Sequence, residues 1–221
     1  DPKTDDKRNS EFLERNLKYG ACPPYMRKEL FPRHEDLKYA SILPPLRIPS
    51  HGYSKGKDQE NLREAVVKEK RGSKAILNAG LDHEVTTQGL MKGERVTVRI
   101  KEGKSCEVLE NVKGFWNIEV ENKRDKIKDL LEERKEKTLI GTSRKGKDVR
   151  DYKKEIKSLN FDETVLAFGS AWRGLYELSE REKFSMKIFD HVLNTVPDQN
   201  TQTVRTEEAV LVTLGIFNLW R

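Results

Sequence analysis

The sequence has few cysteines and no long apolar run, and each of these features excludes some classes of protein. Its 221 residues include 2 cysteines, Cys22 and Cys106, too few for a disulfide framework and too far apart for zinc-ligand spacing. The 4 histidines are scattered without a second ligand nearby, so we expect no metal site. No run of about 18 apolar residues occurs, which excludes a transmembrane helix. The charged N-terminus lacks the apolar stretch of a signal peptide, and a reduced intracellular compartment fits these absences best.

Charge is abundant in the sequence and slightly biased towards positive. Charged residues make up 36% and hydrophobic residues 35%, so we expect a modest core and a strongly charged surface. The 43 basic residues exceed the 37 acidic ones and leave a formal net charge of +6. Such an excess favours an acidic partner, either RNA, DNA or an anionic membrane. The alternative is an ordinary solvated surface rich in lysine and glutamate.

The first 60 residues predict helices and loops. Apolar residues at helical spacing predict a helix over residues 9–21, which Cys22-Pro23-Pro24 ends. A short helical stretch is expected at residues 25–30. Proline and glycine residues then keep residues 41–59 as a loop.

Residues 61–122 change to a period of two, which indicates short strands separated by glycine turns. Five or six such strands in this length predict a small antiparallel β-barrel of the OB-like kind. The alternative is a plain β-meander. The predicted strands are residues 64–67, 74–78, 84–86, 95–100, 106–109 and 115–120, and the predicted turns lie at Gly80, Gly89, Gly93, Gly103 and Gly114.

Residues 123–221 return to a pattern typical of α/β proteins. We predict a charged amphipathic helix over residues 123–137 and a last helix from residue 205 to 220. The basic segment 144–160 is expected to be partly helical. Three apolar strands, at residues 138–140, 163–168 and 188–194, predict a parallel sheet with a ligand at its carboxyl ends. The barrel would then be an insertion between two halves of one α/β domain.

Each predicted parallel strand ends in a small or polar loop. The three loops are residues 140–143, 168–174 and 194–206. Gly141 and Gly169 would let the backbone approach a ligand closely. The third loop contains no glycine, so it is neither a P-loop nor a dinucleotide fingerprint. One such loop alone would be an ordinary turn, whereas three in order indicate a ligand site.

Several segments resemble SPOUT RNA methyltransferases, most of all the eukaryotic and archaeal group in which an OB-like barrel is inserted into the SPOUT domain. The sequence Ile140-Gly141-Thr142-Ser143, followed by Gly146, Asp148 and Val149, is similar to that group. So is Arg-Thr-Glu-Glu-Ala at residues 205–209. Residues 22–37 also resemble it, and the similarity covers residues 11–221.

The resemblance implies an α/β fold in which a SPOUT-type parallel sheet ends in a C-terminal trefoil knot and carries the barrel as an insertion. It divides the chain into an N-terminal part of the SPOUT domain at 1–60, the barrel at 61–122 and the knotted half at 123–221. SPOUT domains usually begin with a strand, a helix and a second strand before the helix predicted at 9–21. We therefore expect those N-terminal strands to lie outside this sequence.

The resemblance also implies S-adenosylmethionine as cofactor, RNA as partner, and a dimer formed with an identical chain or with a paralogue. The segment Arg-Thr-Glu at 205–207 is similar to that of bacterial rRNA methyltransferases that modify uridine N3. The predicted activity is therefore methylation of ribosomal RNA at uridine N3, by analogy, with a nuclear or nucleolar location.

Two other functions compete with this prediction. One is a catalytically inactive, SPOUT-like RNA-binding factor in ribosome assembly, because the middle loop departs from the acidic residue and paired glycines of the bacterial relatives. In that loop, Trp172 would pack on adenine, gate the pocket or fill it. The other is an OB-type single-strand binder, which leaves the three loops without a purpose.

The loops and the resemblance together predict the site residues. Arg205 is expected to anchor a phosphate or the uracil oxygen, and Glu207 to orient Arg205 or act as a base. The alternative is that both are ordinary first-turn helix residues. Cofactor contacts are expected from Ile140, Gly141, Thr142, Phe168, Gly169, Ser170, Asn194, Thr195, Val196, Thr203 and Val204, and RNA contacts from Arg144, Lys145, Lys147, Arg173 and Trp116.

Overall fold

The computed structural model describes residues 7–52, 61–101, 104–112, 114–170 and 172–221. They form two compact units, Asp1–Asn122 and Lys123–Arg221. Part of the predicted loop (53–59), the predicted turn at Gly103 and Ala171 of the middle loop lie outside the described residues. The three-part division of the chain, the trefoil knot and the expected N-terminal strands stay predictions.

Helices open the first unit. Helix α1 (Lys7–Ala21) contains the helix predicted over residues 9–21. It ends just before Cys22, because the two prolines that follow Cys22 lack backbone donors. Helix α2 (Arg27–Leu30) is a single turn, as expected for the short helical stretch. Short 3-10 turns follow at Glu35–Leu37, Ala40–Ile42 and Pro49–His51.

Five antiparallel strands form the rest of the first unit, in the order β3-β2-β1-β4-β5. The two edges of this sheet meet, because the Thr86 backbone N–H donates to the Lys104 carbonyl at 2.7 Å. The sheet therefore curls into a half-barrel, and the predicted antiparallel arrangement is confirmed in this coarser form. The strands are β1 (Leu62–Arg71), β2 (Lys74–Asn78), β3 (Val85–Gln88), β4 (Arg95–Ile100) and β5 (Cys106–Leu109).

The sixth predicted strand, at residues 115–120, is irregular in the structure. Its Trp116 side chain packs onto the sheet, where Nε1 donates to Glu64 Oε1 at 3.1 Å and to Thr97 Oγ1 at 3.0 Å. The buried Glu64 carboxylate also pairs with Arg95. The alternation of polar and apolar residues in this segment thus arises from the burial of Trp116 and not from hydrogen-bonded pairing with another strand.

Three parallel strands build the second unit, in the order β7-β6-β8. The predicted parallel sheet and the last helix are confirmed. The elements are α3 (Ile127–Glu132), β6 (Thr138–Asp148), α4 (Lys153–Ser158), β7 (Thr164–Ala167), α5 (Leu175–Glu182), β8 (His191–Asn194) and α6 (Thr206–Trp220).

Strand β8 begins three residues later than the strand predicted at 188–194, and three other elements differ more from the sequence prediction. Helix α3 covers less than residues 123–137, because residues 133–137 contain no apolar side chain to bury against the core. Strand β6 continues to Asp148 through part of the segment expected to be helical. Helix α5 was not predicted at all. Its eight residues give a short apolar pattern, in which Leu175 is fully buried.

A bulge interrupts β6 where it lies beside β8. Thr142 pairs with Leu193, and the pairing resumes with Lys147 on the same partner, so residues 143–146 bulge out of the ladder. Gly146 brings the strand back to β8. A Cβ on Gly146 would lie 2.6 Å from the carbonyl carbon of Leu193, so this close approach requires glycine.

Candidate functional site

A cleft of about 240 Å³ opens in the second unit, beside the β6 bulge and the carboxyl ends of β7 and β8. Its walls come from the β6 bulge, from the loop that follows β7 and from the loop that follows β8. The carboxyl edge of a parallel sheet is the usual ligand site of α/β proteins. The predicted loops therefore meet at one place.

The middle loop, residues 168–174, is closed by its own hydrogen bonds. The Ser170 backbone N–H donates to the Arg173 carbonyl at 2.8 Å, and the Ser170 hydroxyl accepts from the Arg173 N–H at 3.0 Å. Gly169 lies beneath this turn, and a Cβ there would meet the Arg173 carbonyl oxygen at 2.7 Å. These hydrogen bonds join Ser170 to Arg173, and α5 begins directly after the loop.

The third loop begins at a buried hydroxyl pair. Thr195 Oγ1 accepts from Thr213 Oγ1 at 2.8 Å, which ties the end of β8 to helix α6. The Asn194 side chain accepts from the Val196 N–H at 3.1 Å, so the chain turns at once into the cleft wall. At the far end, the Thr206 hydroxyl donates to the Gly169 carbonyl at 3.3 Å and links the third loop to the middle one.

Two arginines from the β6 side hold the body of the third loop. The Arg144 guanidinium donates to the Gln202 carbonyl at 2.9 Å. The Arg150 guanidinium donates to Asp198 at 3.0 Å and is itself tied to Asp148. Asp198 has a φ of 59°, in the left-handed region, so the loop makes a tight turn at this contact. These contacts fix the loop that forms one wall of the cleft.

Nine of the eleven predicted cofactor residues line this single cleft. The exceptions are Ile140 and Gly141. Ile140 is buried in the core, and a Cβ on Gly141 would lie 3.1 Å from the Leu175 side chain. Both lie inside β6 rather than at its end, because the strand runs seven residues past Gly141. The nine are Thr142, Phe168, Gly169, Ser170, Asn194, Thr195, Val196, Thr203 and Val204.

Three of the five predicted RNA residues, Arg144, Lys145 and Arg173, also line the cleft. The Lys145 ammonium lies 5.5 Å from the ring centroid of Tyr176, which orients it at the rim. Lys147 lies outside the cleft, with its ammonium 5.6 Å from the Tyr152 ring centroid. The cleft therefore has a basic edge made by the β6 bulge.

Arg205 and Glu207 lie at the start of α6 and do not line the cleft, although their neighbours Thr206 and Ala209 do. Their charged groups are 4.0 Å apart and both side chains are exposed. Glu208, rather than Glu207, caps the helix by accepting the Arg205 backbone N–H at 3.1 Å. Glu207 is thus left to face Arg205, and an exposed pair of this kind contributes little to stability.

Trp116 is not placed to stack on RNA. Its side chain is 9% exposed, and its indole N–H is already bonded to Glu64 and Thr97. The neighbouring Phe115 is the exposed member of the pair. Alternation along residues 115–120 puts one of these two neighbouring rings in the core, and Trp116 is that one.

Replacing Trp116 by phenylalanine is expected to lower the free energy of unfolding of the first unit by about 1–2 kcal/mol. The change removes the indole donor and leaves the buried Glu64 carboxylate with one partner fewer. Urea denaturation measures this loss. Trp116→Phe should leave RNA affinity unchanged; a several-fold loss of RNA affinity in a folded protein would contradict the buried role.

Sequence reasoning missed part of the cleft lining. Tyr176 and Glu177 belong to the unpredicted helix α5, which places a carboxylate and a phenol at the cleft. The spacing of Leu175 and Leu178 was the available signal for this helix. The other lining residues outside the predicted set are Ser143, Trp172, Gly174, Gln199, Gln202, Thr206 and Ala209.

The first unit also holds a larger, mainly apolar groove, lined by Phe12, Leu13, Leu17, Tyr39 and Leu43 among others. Burial raises the pKa of the Cys22 thiol to about 11, so it stays protonated and unreactive near neutral pH. No three His, Cys, Asp or Glu side chains in the described part of the chain are grouped to hold a metal. Nor is any helix there long and apolar enough to cross a membrane.

A family model described as "Putative RNA methyltransferase" matches residues 1–217 of this chain. The chain belongs to this RNA methyltransferase family. The match confirms the family predicted from the sequence, and it includes every residue that lines the cleft.

Relatives of this RNA methyltransferase occur in archaea and in animals. An uncharacterized protein of Halobacterium salinarum is 32% identical, over 94% of this chain and 80% of its own length. The 28S rRNA (uridine-N(3))-methyltransferase of Drosophila melanogaster is 30% identical, over 92% of this chain and 46% of its own length. The Homo sapiens protein of the same name is 30% identical, over 92% of this chain and 59% of its own length. The chain thus spans about half the length of these named methyltransferases.

Proposed function

We propose that the protein transfers a methyl group from S-adenosylmethionine to ribosomal RNA, with uridine N3 as the target atom. The observation that carries the proposal is the cleft between the β6 bulge and the carboxyl ends of β7 and β8, which gathers nine of the residues predicted to hold the cofactor. Relatives named as 28S rRNA uridine-N3 methyltransferases support the choice of substrate.

The residues of the cleft fit the chemistry of this cofactor. Phe168, Val196 and Val204 offer apolar surface for an adenine ring. Thr203 and the glutamines of the third loop offer partners for ribose hydroxyls, and the Glu177 carboxylate suits an ammonium group. The lining is otherwise mainly polar, so hydrogen bonds as well as apolar contact would orient the bound cofactor. The cleft is open at one side, which leaves a ligand accessible to a second substrate, as transfer to RNA requires.

The reaction needs positioning and removal of one proton. When bound, S-adenosylmethionine supplies an electrophilic methyl group. Uridine N3 carries a proton near neutral pH and must lose that proton before it can react. The N3 lone pair then attacks the methyl carbon, while the carbon–sulfur bond breaks and its electron pair goes to sulfur. We assign Arg205 to stabilise the negative charge that develops on uracil, and Glu207 to orient Arg205 or take the proton. Their separation of 4.0 Å supports this pairing.

The first test is calorimetric titration of the full chain with S-adenosylhomocysteine, the product form of the cofactor. We expect micromolar binding, followed by detection of methylated uridine in ribosomal RNA treated with the protein. If the protein binds RNA but not S-adenosylhomocysteine, the enzyme proposal is wrong and a non-catalytic role in ribosome assembly takes its place.

Arg205→Ala is expected to lower kcat for RNA methylation on the order of 100-fold, because it removes a charge that acts on the developing anion. S-adenosylhomocysteine affinity should not change, since Arg205 does not line the cleft. Arg205→Lys keeps the charge without the planar fork and should retain part of the activity. Wild-type kcat in Arg205→Ala would remove Arg205 from the mechanism and leave it as an ordinary helix residue.

The proposal includes a dimer, with an identical chain or with a paralogue. Helix α6 carries exposed apolar side chains along its length, Leu211, Leu214 and Leu219 among them, and exposed apolar surface of this kind is typical of protein interfaces. Light scattering of the purified chain tests the self-association. The nuclear or nucleolar location stays a prediction.

A further inference from the structure

Trp172 is an exposed aromatic side chain at the mouth of the cleft. It belongs to the cleft lining, yet its side chain is 76% exposed, so it does not fill the pocket. The other phenylalanine, tyrosine and tryptophan side chains described in the second unit are buried or half-buried. A large aromatic ring exposed at the mouth of a ligand site offers contact area to a second ligand.

Hydrogen bonds on both sides of Ala171 hold the backbone of Trp172. The Ser170 hydroxyl accepts from the N–H groups of Trp172 and Arg173, at 3.4 and 3.0 Å. The Arg173 carbonyl in turn accepts from the Ser170 N–H at 2.8 Å. Because Ser170 and Arg173 make these bonds with each other, contact through the indole would cost little further ordering of the two residues.

Basic side chains share the cleft with this ring. Lys145 and Arg144 both line it, and neither is held by a carboxylate in the described contacts. Lys145 faces the Tyr176 ring, which is half-buried and so presents less surface than Trp172. An exposed aromatic face beside basic side chains is the combination with which proteins bind single-stranded nucleic acid.

We propose that Trp172 is a stacking platform for an unpaired base of the RNA, next to the methyl-transfer cleft. The inference rests on the proposed function in taking RNA as the second substrate, and it deepens that function by defining the substrate class. A base inside a duplex has no free face to offer the indole. The RNA substrate is therefore single-stranded or looped at the target, or has its base turned out of the helix.

Fluorescence of the full chain tests the stacking directly. The tryptophan emission of the wild type minus that of Trp172→Phe gives the emission of Trp172. A short oligouridylate should quench this emission, whereas the same strand paired with oligoadenylate should not quench it. Trp172→Ala is expected to weaken oligouridylate binding about 5- to 100-fold, the range measured for loss of one stacked base, and Trp172→Phe should keep most of the affinity.

The salt dependence of binding separates stacking from charge. Trp172→Ala should leave the slope of log affinity against log salt unchanged, because no phosphate contact is lost. Lys145→Gln should reduce that slope by about 0.7, the value for one phosphate contact on a single strand. Lys187→Gln, which removes an exposed lysine outside the cleft, is the matched control and should change neither quantity.

Calorimetry with S-adenosylhomocysteine decides between the two ligands that the ring could face. Trp172→Ala should keep the wild-type affinity for this compound. If that affinity falls while oligouridylate binding is unchanged, Trp172 packs on the adenine of the cofactor and the platform is wrong. If the wild type does not bind S-adenosylhomocysteine but oligouridylate still quenches Trp172, the methyltransferase proposal fails and the platform stands.

Discussion

Gly169→Val should weaken S-adenosylhomocysteine binding by about 100-fold or more while most of the protein stays folded. A Cβ at this position would lie 2.7 Å from the Arg173 carbonyl oxygen and 3.0 Å from the Gly174 Cα, and both are backbone atoms. A clash with backbone cannot be relieved by turning a side chain, so the middle loop must move. The Ser170–Arg173 hydrogen bond, 2.8 Å long, would then be lost with the wall of the cleft.

Gly215→Ala is the control, because it adds a methyl group to a glycine of the same unit that does not line the cleft. A Cβ there has no neighbour within 4 Å, and the residue lies inside helix α6. We expect its S-adenosylhomocysteine affinity to stay within about threefold of wild type, less than 1 kcal/mol by the usual affinity arithmetic. Calorimetry measures both variants, and circular dichroism checks that both are folded. If Gly169→Val binds as tightly as wild type, the cofactor does not bind between these loops.

The three loops of the cleft were found in the sequence because a polar or glycine-containing segment follows each apolar strand. That signal reports where a buried strand ends, and the ends of parallel strands meet at one edge. It failed at Gly141, where the polar residues after Ile140 continue β6 instead of ending it. Residues 143–146 bulge away from β8, so they need not be apolar to lie in the strand.

Two other errors have separate physical origins, because a buried side chain can imitate strand alternation and a short helix leaves little apolar pattern. At residues 115–120, the alternation reflects Trp116 packing onto Glu64 and Thr97, not a sixth strand. Helix α5 was not predicted because its eight residues bury few apolar side chains; the most buried of these is Leu175. Tyr176 and Glu177 were missed with it, so the acidic side of the cleft appears only in the folded chain.

The roles of the basic residues also depend on tertiary contacts. Arg144 was expected to contact RNA, and its guanidinium instead donates to the Gln202 carbonyl. This contact joins the β6 bulge to the third loop, so Arg144 holds the cleft together whether or not it also meets RNA. No local pattern reveals a contact between residues this far apart in sequence.

Gly146→Ala should destabilise the second unit by about 2–4 kcal/mol, because it forces a methyl group between two paired strands. The Cβ would lie 2.6 Å from the Leu193 carbonyl carbon and 2.7 Å from the Val192 carbonyl oxygen. Neither backbone atom can move without breaking the ladder between β6 and β8. Since the bulge of β6 also carries Arg144 and Lys145, the cleft should lose its basic edge.

Gly215→Ala is the control, and its effect should have the opposite sign. Gly215 lies inside α6, where a Cβ meets nothing within 4 Å, so alanine should stabilise the helix by about 0.5–1 kcal/mol. Urea denaturation gives the two free energies, and hydrogen exchange of peptides from β6 and β8 locates the change. Faster exchange confined to those strands in Gly146→Ala would confirm that one glycine allows the bulge that shapes the site. Wild-type stability and exchange in Gly146→Ala would mean that β6 and β8 are not paired at this register.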